Sequence, residues 1–534
     1  MKLNYKRTIF VGFAFFLISA FWQAYDNTIA LTLTNKFGMS QAWSGVIMAI
    51  DNILALFLLP LFGTLSDKHN GRSGRRTPFI RLGATLAAIF LVALSFTDNM
   101  QKDHLSEISD VNSKRTLQIL FDTQSGKTLQ TPDGDPFILT NDPDTTKEDV
   151  TFVSEEVFLS IQTDDKANVT ITVDGNEVTK EVSPYTYYVV PARQGYAADQ
   201  TAADPVPLIC FMVVLMLLLV SMAIFRSPAV ALMPDVTVKP LRSKGNAIIN
   251  LMGTAGGILV LVLGKLFATS SVTNSLMSYT TYYAVIAAVM VGALVVFLFT
   301  VKEKQWAAQM QSDTIRYGFE DKTEESTEEK RSLSSGEKMS LILILGSVAL
   351  WYFGYNAVTS KYSVYAPNVL QKDYNTTMLL AQGAAIVAYI PAGMLASKIG
   401  RKRSILLGVT LLCAAFASAS FMDATSPGWL MNTMFMMAGI AWATINVNSF
   451  PMVVEMCSGA DVGKYTGFYY TASMAAQAAT PWISGYFMDT MGMTTLFPYA
   501  AIFVALAFVT MSLVKHGDAK AVGKKGLEAF DNDD

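Results

Sequence analysis

Long apolar runs alternate with short polar connections along most of the chain. Each run approaches the ~20 residues with which an α-helix crosses ~30 Å of hydrocarbon. The runs lack the alternation of barrel strands, so a helix is the form that satisfies their backbone in lipid. The pattern predicts an all-α membrane protein whose twelve transmembrane helices cover residues 9–34, 43–63, 79–97, 206–233, 245–267, 279–301, 340–359, 377–397, 404–421, 429–453, 466–487 and 496–514.

Composition and charge agree with this class and add an orientation. The chain is 51% hydrophobic and 16% charged, whereas soluble domains have ~25% charged residues. Residues 1–20 have the basic-then-apolar order of a signal peptide, but the similar runs that follow favour a retained first helix. The two termini and the short loops on their side carry 19 Lys and Arg, against 3 in the opposite short loops. This excess predicts that both termini are cytoplasmic, and we expect the plasma membrane.

An internal repeat divides the spans into two six-helix halves. "GTLSDK" at 63–68 is matched by "GMLASK" at 393–398, and "SPAVALMPD" at 227–235 by "FPMVVEMCS" at 450–458. Two halves of equivalent topology are typical of secondary transporters. The predicted regions are helices one to three (1–97), an insertion (98–204), helices four to six (205–301), a polar cytoplasmic linker (302–338), helices seven to twelve (339–514) and a cytoplasmic tail (515–534).

The insertion at 98–204 does not have a membrane-like composition. It holds 20 acidic and 8 basic residues, and the orientation places it outside the cytoplasm. "NVTITV" and "EVTKEV", joined by "DGN", predict a β-hairpin, and "VTFVSEEVFLSI" and "YTYYVV" are candidates for further strands. We therefore expect an acidic β-rich domain, which is either a solvated decoration or a lid or substrate-capturing module.

A charged stretch between the second and third spans carries a family resemblance. "GTLSDKHNGRSGRRTPFI" at 63–80 resembles the signature loop of the major facilitator superfamily. The last part of this stretch, "GRRTPFI", resembles the corresponding loop of sucrose-type transporters. These transporters are close to the glycoside–pentoside–hexuronide:cation symporters. "RSPAVALMPD" with "RSKGNA" at 226–247 is similar to the same group. The resemblance covers all twelve helices and implies two six-helix bundles. It does not cover the insertion between helices three and four.

The loop itself has a physical interpretation. Asp67 is expected to lock against the cytoplasmic end of a neighbouring helix, with Arg75 or Arg76 as its partner, and to release when the halves rock. The alternative is that the arginines enforce topology and do nothing more.

Ionisable residues well inside the spans, away from the helix ends, are the candidates for ion coupling, because a charge at the bilayer centre costs ~2.5–3.5 kcal/mol. These residues are Asp26, Asp51 and Arg226. Asp26 and Asp51 lie about equally far from the turn between their helices, hence at one depth. The resemblance implies that helices one and four line a central cavity, where Arg226 would reach Asp26.

We hypothesise that Asp26 takes up a proton when Arg226 moves toward the substrate. A nearby guanidinium favours the charged carboxylate, and apolar surroundings favour the protonated one. The alternative is a static ion pair between Asp26 and Arg226 that holds the two helices together. For Asp51, the alternative is a hydrogen bond to a neighbouring helix near the outer gate. Melibiose-type symporters hold sodium with paired acids one turn apart on helix two; here Ala55 and Leu59 follow Asp51. Protons are therefore favoured over sodium, and we expect no metal or organic cofactor.

Sugars are bound by polar groups together with an aromatic platform. Any single candidate has an alternative role as a packing or inter-helix contact. The candidates are Trp22, Gln23, Asn27, Asn250, Tyr355, Asn356, Gln382, Trp442, Asn446, Asn448 and Gln477.

The predicted function is proton-coupled uptake of a sugar or glycoside by alternating access. The alternatives are an exporter of drugs or metabolites from the same superfamily and a nutrient sensor that reads ligands through the insertion. We expect no enzymatic activity, because the sequence has no phosphate loop, nucleophile elbow or metal cluster. The expected partners are a small-molecule sugar and the lipid bilayer, with no nucleic acid, and the chain is expected to be a monomer.

Overall fold

The computed structural model describes residues 3–111, 113–143, 149–163, 167–173, 176–238, 241–316, 334–454, 456 and 462–516. Its α-helices within these ranges are α1 (Tyr5–Asn35), α2 (Gln41–Lys68), α3 (Thr77–His104), α4 (Lys114–Gln124), α5 (Glu155–Ser160), α6 (Val190–Ala203), α7 (Val206–Val236), α8 (Arg242–Leu266), α9 (Thr280–Thr300), α10 (Glu303–Arg316), α11 (Ser335–Tyr365), α12 (Tyr374–Ile399), α13 (Arg401–Ala419), α14 (Gly428–Val454), α15 (Val462–Met491) and α16 (Leu496–Ser512).

A long helix lies at every predicted span. Within the described ranges, eleven helices are long and apolar enough to cross a membrane, namely α1–α3, α7–α9, α11–α14 and α16. Helix α15 lies at the eleventh predicted span and is not among them, so the count of twelve stays a prediction. The fold is nearly all helical, as expected.

The helices pack as two halves, α1–α3 with α7–α9 and α11–α16. Between the halves, α2 packs against α15, α8 against α12, and α1 against α11. In the internal repeat α12 corresponds to α2 and α15 to α8. The first two contacts are therefore the same contact made twice, as expected when two similar bundles face each other across a pseudo-two-fold axis.

Local sequence explains where several helices begin. The Ser40 hydroxyl caps α2 by accepting from the Trp43 N–H. Ser334 and Glu337 form a capping box at the start of α11. Such side chains satisfy N–H groups that the first helical turn leaves without a partner.

The predicted linker has a helical part. Helix α10 follows α9 and packs against α7, which ties the first part of the linker to the first half. The remainder of the linker at 317–333 and the tail from 517 onward lie outside the described residues.

The insertion is a mixed α/β unit, so the prediction of a β-rich domain was only partly right. Its described residues form α4, α5 and α6, together with five short strands: β1 (Thr128–Gln130), β2 (Pro136–Leu139), β3 (Thr151–Val153), β4 (Ala167–Val173) and β5 (Asn176–Val182). Strand β2 pairs with β1 in antiparallel and with β3 in parallel orientation. Strands β4 and β5 form the predicted antiparallel hairpin, with Val173 opposite Asn176.

Of the two further strand candidates in the insertion, "YTYYVV" was wrong and "VTFVSEEVFLSI" was right only at its start. "YTYYVV" forms a π-helix, Tyr185–Val189, whose side chains are all buried. A short continuous apolar run does not distinguish a strand from a buried helix. In "VTFVSEEVFLSI" the strand ends at Val153, because Ser154 and two acidic residues start α5; acidic side chains in a first turn favour a helix.

Candidate functional site

A cavity of about 520 Å³ lies between the two halves. Helices α1, α7 and α8 line it from the first half, and α11, α12 and α14 from the second. Eight of the predicted site residues line this central cavity: Trp22, Gln23, Asp26, Arg226, Asn250, Tyr355, Gln382 and Trp442. The volume lies within the ~300–1,000 Å³ of typical small-molecule sites.

A smaller polar chamber of about 200 Å³ adjoins the central cavity. Trp22, Asp26 and Arg226 line both spaces. The predicted residues that line this side chamber and not the central cavity are Asp51, Asn356 and Gln477. All three predicted intramembrane charges therefore face one polar space, and their side chains are half-buried.

The guanidinium of Arg226 lies over the ring of Trp22, with its Cζ 5.5 Å from the ring centroid. A cation over an indole face is held by the negative charge of the ring face. Trp22 and Arg226 come from α1 and α7, so this contact positions the cation at the boundary between the cavity and the side chamber.

A chain of amide hydrogen bonds crosses from one half to the other. Gln382 Nε2 donates to Gln23 Oε1 at 2.6 Å, and Gln23 Nε2 donates to Asn27 Oδ1 at 3.1 Å. Gln382 is on α12 and the other two residues are on α1. The predicted residue Asn27 is fully buried behind the cavity wall, where it supports Gln23.

An aromatic pair forms part of the cavity wall in the second half. The rings of Tyr355 and Trp442 stack with centroids 3.6 Å apart and planes within 5°. Tyr389 on α12 also lines the cavity, and no sequence signal separated it from other tyrosines in apolar runs.

The remaining predicted polar residues do not line either space. Asn448 is buried and its Nδ2 donates to the Thr444 carbonyl oxygen one turn earlier, at 2.8 Å. Asn446 is half-buried on the same helix.

Two donors at the site lack an acceptor within the described part of the chain. They are the indole Nε1 of Trp22 and the Nδ2 of Asn356. Buried polar groups almost always have a hydrogen-bond partner, so these two N–H groups are available to a bound molecule or to water.

The halves are joined at the end of the bundle that carries the insertion, which we call the insertion end. The buried ammonium of Lys361 on α11 donates to the Gln41 carbonyl oxygen at 2.5 Å and to the Ser44 hydroxyl at 2.8 Å. The Asp489 carboxylate on α15 accepts from the main-chain N–H groups of Gln41 and Ala42, both at 2.7 Å. Two charges of the second half therefore hold the N-terminus of α2, where the helix dipole favours an anion.

This clamp was not predicted from the sequence. Lys361 and Asp489 were assigned to loops, whereas α11 and α15 continue through them.

The 63–80 stretch forms a network of charges at the opposite end, which we call the linker end. Arg76 pairs with Asp67, and its Nε lies 2.8 Å from Asp235 on α7. Arg75 lies 3.6 Å from the same carboxylate. The predicted pairing of Asp67 is thus present, and it joins α2, α3 and α7 of one half.

Glu303 at the start of α10 supplies the missing cap of α3. Its carboxylate accepts from the N–H groups of Arg75, Arg76 and Thr77 at 2.6–2.8 Å and from the Thr77 hydroxyl at 2.7 Å. Helix α3 has no side-chain cap of its own. Gly74 (φ +118°) gives the carboxylate room, because an added Cβ would lie 2.3 Å from the Glu303 Cδ.

Known families match both halves of the chain. Residues 348–530 match the model described as Major Facilitator Superfamily, and residues 10–105 match the one described as MFS/sugar transport protein. The chain belongs to the major facilitator superfamily. The "MFS-type transporter ppzB" of Metarhizium rileyi is 24% identical over 149 residues, which are 28% of this chain and 30% of that protein.

Solved structures of the superfamily share the fold. The xylose transporter XylE from E. coli, in an inward open conformation, has a TM-score of 0.58 and 14% identity, covering 98% of both chains. The nucleoside transporter NupG has a TM-score of 0.51 and 13% identity, covering 95% of this chain and 100% of that one. These relatives are transporters and not enzymes, which confirms the expectation that this superfamily member is not an enzyme.

Replacing Glu303 with alanine is expected to destabilise this superfamily member. The change leaves three main-chain N–H groups at the start of α3 without their acceptor. A buried polar group without a partner costs ~1–3 kcal/mol, so we expect the free energy of unfolding to fall by about 3 kcal/mol. Thermal unfolding in detergent measures the loss. Glu337→Ala, which removes an exposed capping carboxylate from α11, is the control, and equal losses in the two variants would contradict the assignment.

Proposed function

We propose that the chain is a secondary active transporter that carries a sugar or glycoside, of disaccharide-like size, into the cell together with a proton. The observation that carries this proposal is the cavity between the halves, which together with its side chamber combines polar amides, an aromatic pair and half-buried charges of both signs. Within the superfamily, we place the chain with the sucrose-type and glycoside symporters on the basis of its 63–80 stretch.

The cavity suits a polyhydroxylated cargo. Gln23, Gln382 and Asn250 offer paired donors and acceptors, which match neighbouring hydroxyl groups. The stacked Tyr355–Trp442 pair offers an apolar surface for the C–H face of a sugar ring. Because Gln23 and Gln382 bond to each other across the halves, a sugar that binds both would replace that bond and join the two halves.

Asp26 is the proposed proton carrier and Arg226 its switchable partner. Both line the side chamber with Asp51, so a shift of Arg226 toward the cargo changes the charge that Asp26 faces. Because a nearby cation favours the charged form of a carboxylate, such a shift of Arg226 would tie the protonation of Asp26 to cargo occupancy. Asp51 is proposed to share the proton, and sodium is the alternative ion for this acidic chamber.

Alternating access follows from the packing of the two halves. Lys361 and Asp489 close the insertion end in this conformation. Asp67, Arg75 and Arg76 are the proposed gating charges at the linker end. Arg75 and Arg76 bind Asp235 on α7, and we propose that the release of Asp67 from Arg76 accompanies the rocking of the halves. We propose that the protein works as a monomer in the plasma membrane with both termini in the cytoplasm.

Uptake of labelled sugars into proteoliposomes tests the function. An inwardly directed proton gradient should drive at least one disaccharide or glycoside of a panel above its external concentration, and an uncoupler should abolish the accumulation. An exporter would instead use the inward proton gradient to move its cargo out of the liposomes. A sensor would bind a sugar and show no flux, and either result would overturn the proposal.

A further inference from the structure

The insertion reaches across the bundle and contacts the second half. Residues 131–135, which we call the hairpin tip, connect β1 to β2 and lie against the turn between α15 and α16. The Met493 N–H donates to the Pro132 carbonyl oxygen at 2.7 Å. Met493 opens a short 3₁₀-helix at 493–495, so its N–H has no acceptor within that helix.

Two glycines allow the close approach. A Cβ added to Gly134 would lie 2.8 Å from the Gly492 nitrogen, and one added to Gly492 would lie 2.1 Å from the Asp133 carbonyl oxygen. Gly134 and Gly492 have φ angles of +94° and +90°, which L side chains rarely adopt. Both sides of this contact therefore need glycine, for space as well as for conformation.

The hairpin tip is held firmly within the insertion. Asp133 accepts from Lys180 on β5 at 2.6 Å and from the hydroxyl of Tyr187 in the π-helix. The turn is also closed by the Thr131 N–H, which donates to the Asp135 carbonyl oxygen at 2.9 Å. Movement of the tip therefore requires movement of the insertion.

The other side of the insertion is anchored to the first half. On α6, Gln194 donates to the Asn35 side chain at 3.2 Å and Thr201 donates to the Phe37 carbonyl oxygen at 3.1 Å. A Cβ added to Gly38 would lie 2.3 Å from the Ala198 nitrogen. The insertion thus moves with α1 and α2, whereas the 491–493 turn belongs to the second half.

We infer that the insertion is a strap that holds the two halves together at the insertion end. Separation of the halves there must break the Pro132–Met493 bond and part Gly134 from Gly492. The strap therefore favours the conformation that is closed at the insertion end, and its release accompanies opening. This inference rests on the proposed alternating-access function and assigns the 98–204 segment a role in its conformational equilibrium.

Spin-label distances across the insertion end test the strap. Labels at Leu266→Cys and Phe421→Cys lie on opposite halves at this end, where the native side chains are 74% and 89% exposed. The background has Cys210, Cys413 and Cys457 replaced by alanine. In purified protein without cargo or gradient, Gly134→Ala should raise the ratio of long to short distances by roughly threefold to tenfold, which corresponds to the loss of one net hydrogen bond.

Two further variants make the result decisive. Gly126→Ala introduces a similar positive-φ strain (φ +77°) shortly before β1, with no neighbouring atom within 4 Å of the added Cβ, and should leave the distances unchanged. Met493→Pro removes the donor at a first helical position, where proline is tolerated, and should act as Gly134→Ala does. Distances that do not differ among the Gly126, Gly134 and Met493 variants would overturn the strap. Because the measurement needs no transport, this outcome is distinct from a failure of the uptake assay.

Discussion

Replacement of Asp26 by asparagine is expected to abolish proton-driven uptake and to spare counterflow of the cargo. Asparagine keeps the size and hydrogen-bonding reach of the side chain but neither binds nor releases a proton. Coupling free energies of ~1–3 kcal/mol correspond to ~5- to 150-fold effects, so uptake against a gradient should fall by on the order of 100-fold. Counterflow needs only cargo binding and rocking of the halves, and both persist in this variant.

The measurement compares gradient-driven uptake with counterflow in the same proteoliposomes. Asn27→Asp is not a suitable control because Asn27 supports Gln23. Asp103→Asn is a better one, because this exposed carboxylate on α3 lines neither the cavity nor the side chamber. If Asp26→Asn lost both activities while remaining folded, Asp26 would be part of a static ion pair that holds helices together.

Replacement of Asp489 by alanine is expected to open the insertion end. The change removes the acceptor of two main-chain N–H groups at the start of α2. Hydrogen bonds to a charged group contribute ~1.5–3 kcal/mol each, so the loss of both should raise the population open at this end by on the order of a hundredfold or more. Lys361 alone cannot replace this contact, because an ammonium group donates and does not accept.

Access of a membrane-impermeant maleimide to a cysteine at Thr359 measures this opening. Thr359 lines both the cavity and the side chamber. Reagent added from the insertion end should react faster in the Asp489 variant by about the same factor as the change in population. Asp423→Ala is the matched control, since Asp423 caps a turn of the second half at the same end through Thr425 and Ser426. Equal labelling rates in the two variants would show that Asp489 does not close this end.

The helices and the grouping of the buried charges follow from the sequence, because both depend on local composition. An apolar run of about 20 residues determines a span, and equal distance from a turn brings Asp26 and Asp51 to one depth. The expected partner of Asp67, Arg75 or Arg76, also follows from the sequence, because these residues flank one short loop. The structure pairs Asp67 with Arg76.

The contacts that the sequence did not reveal are long-range. Lys361, Asp489 and Glu303 stand in polar stretches that resemble loops, and each finds its partners on a helix far away in the chain. Nothing local indicates that the start of α2 or of α3 lacks a partner. In the insertion, "YTYYVV" has a composition that suits a strand, whereas the structure has a π-helix at Tyr185–Val189 with every side chain buried.

Cargo-evoked proton movement tests the central claim most directly. Addition of a transported sugar to de-energised proteoliposomes should make the external solution more alkaline, because each sugar enters with a proton. The same addition to the Asp26→Asn variant should leave the external pH constant while labelled sugar still exchanges. Sugar entry in the unmodified protein without any change in external pH would contradict the claim that the buried acid couples cargo to protons.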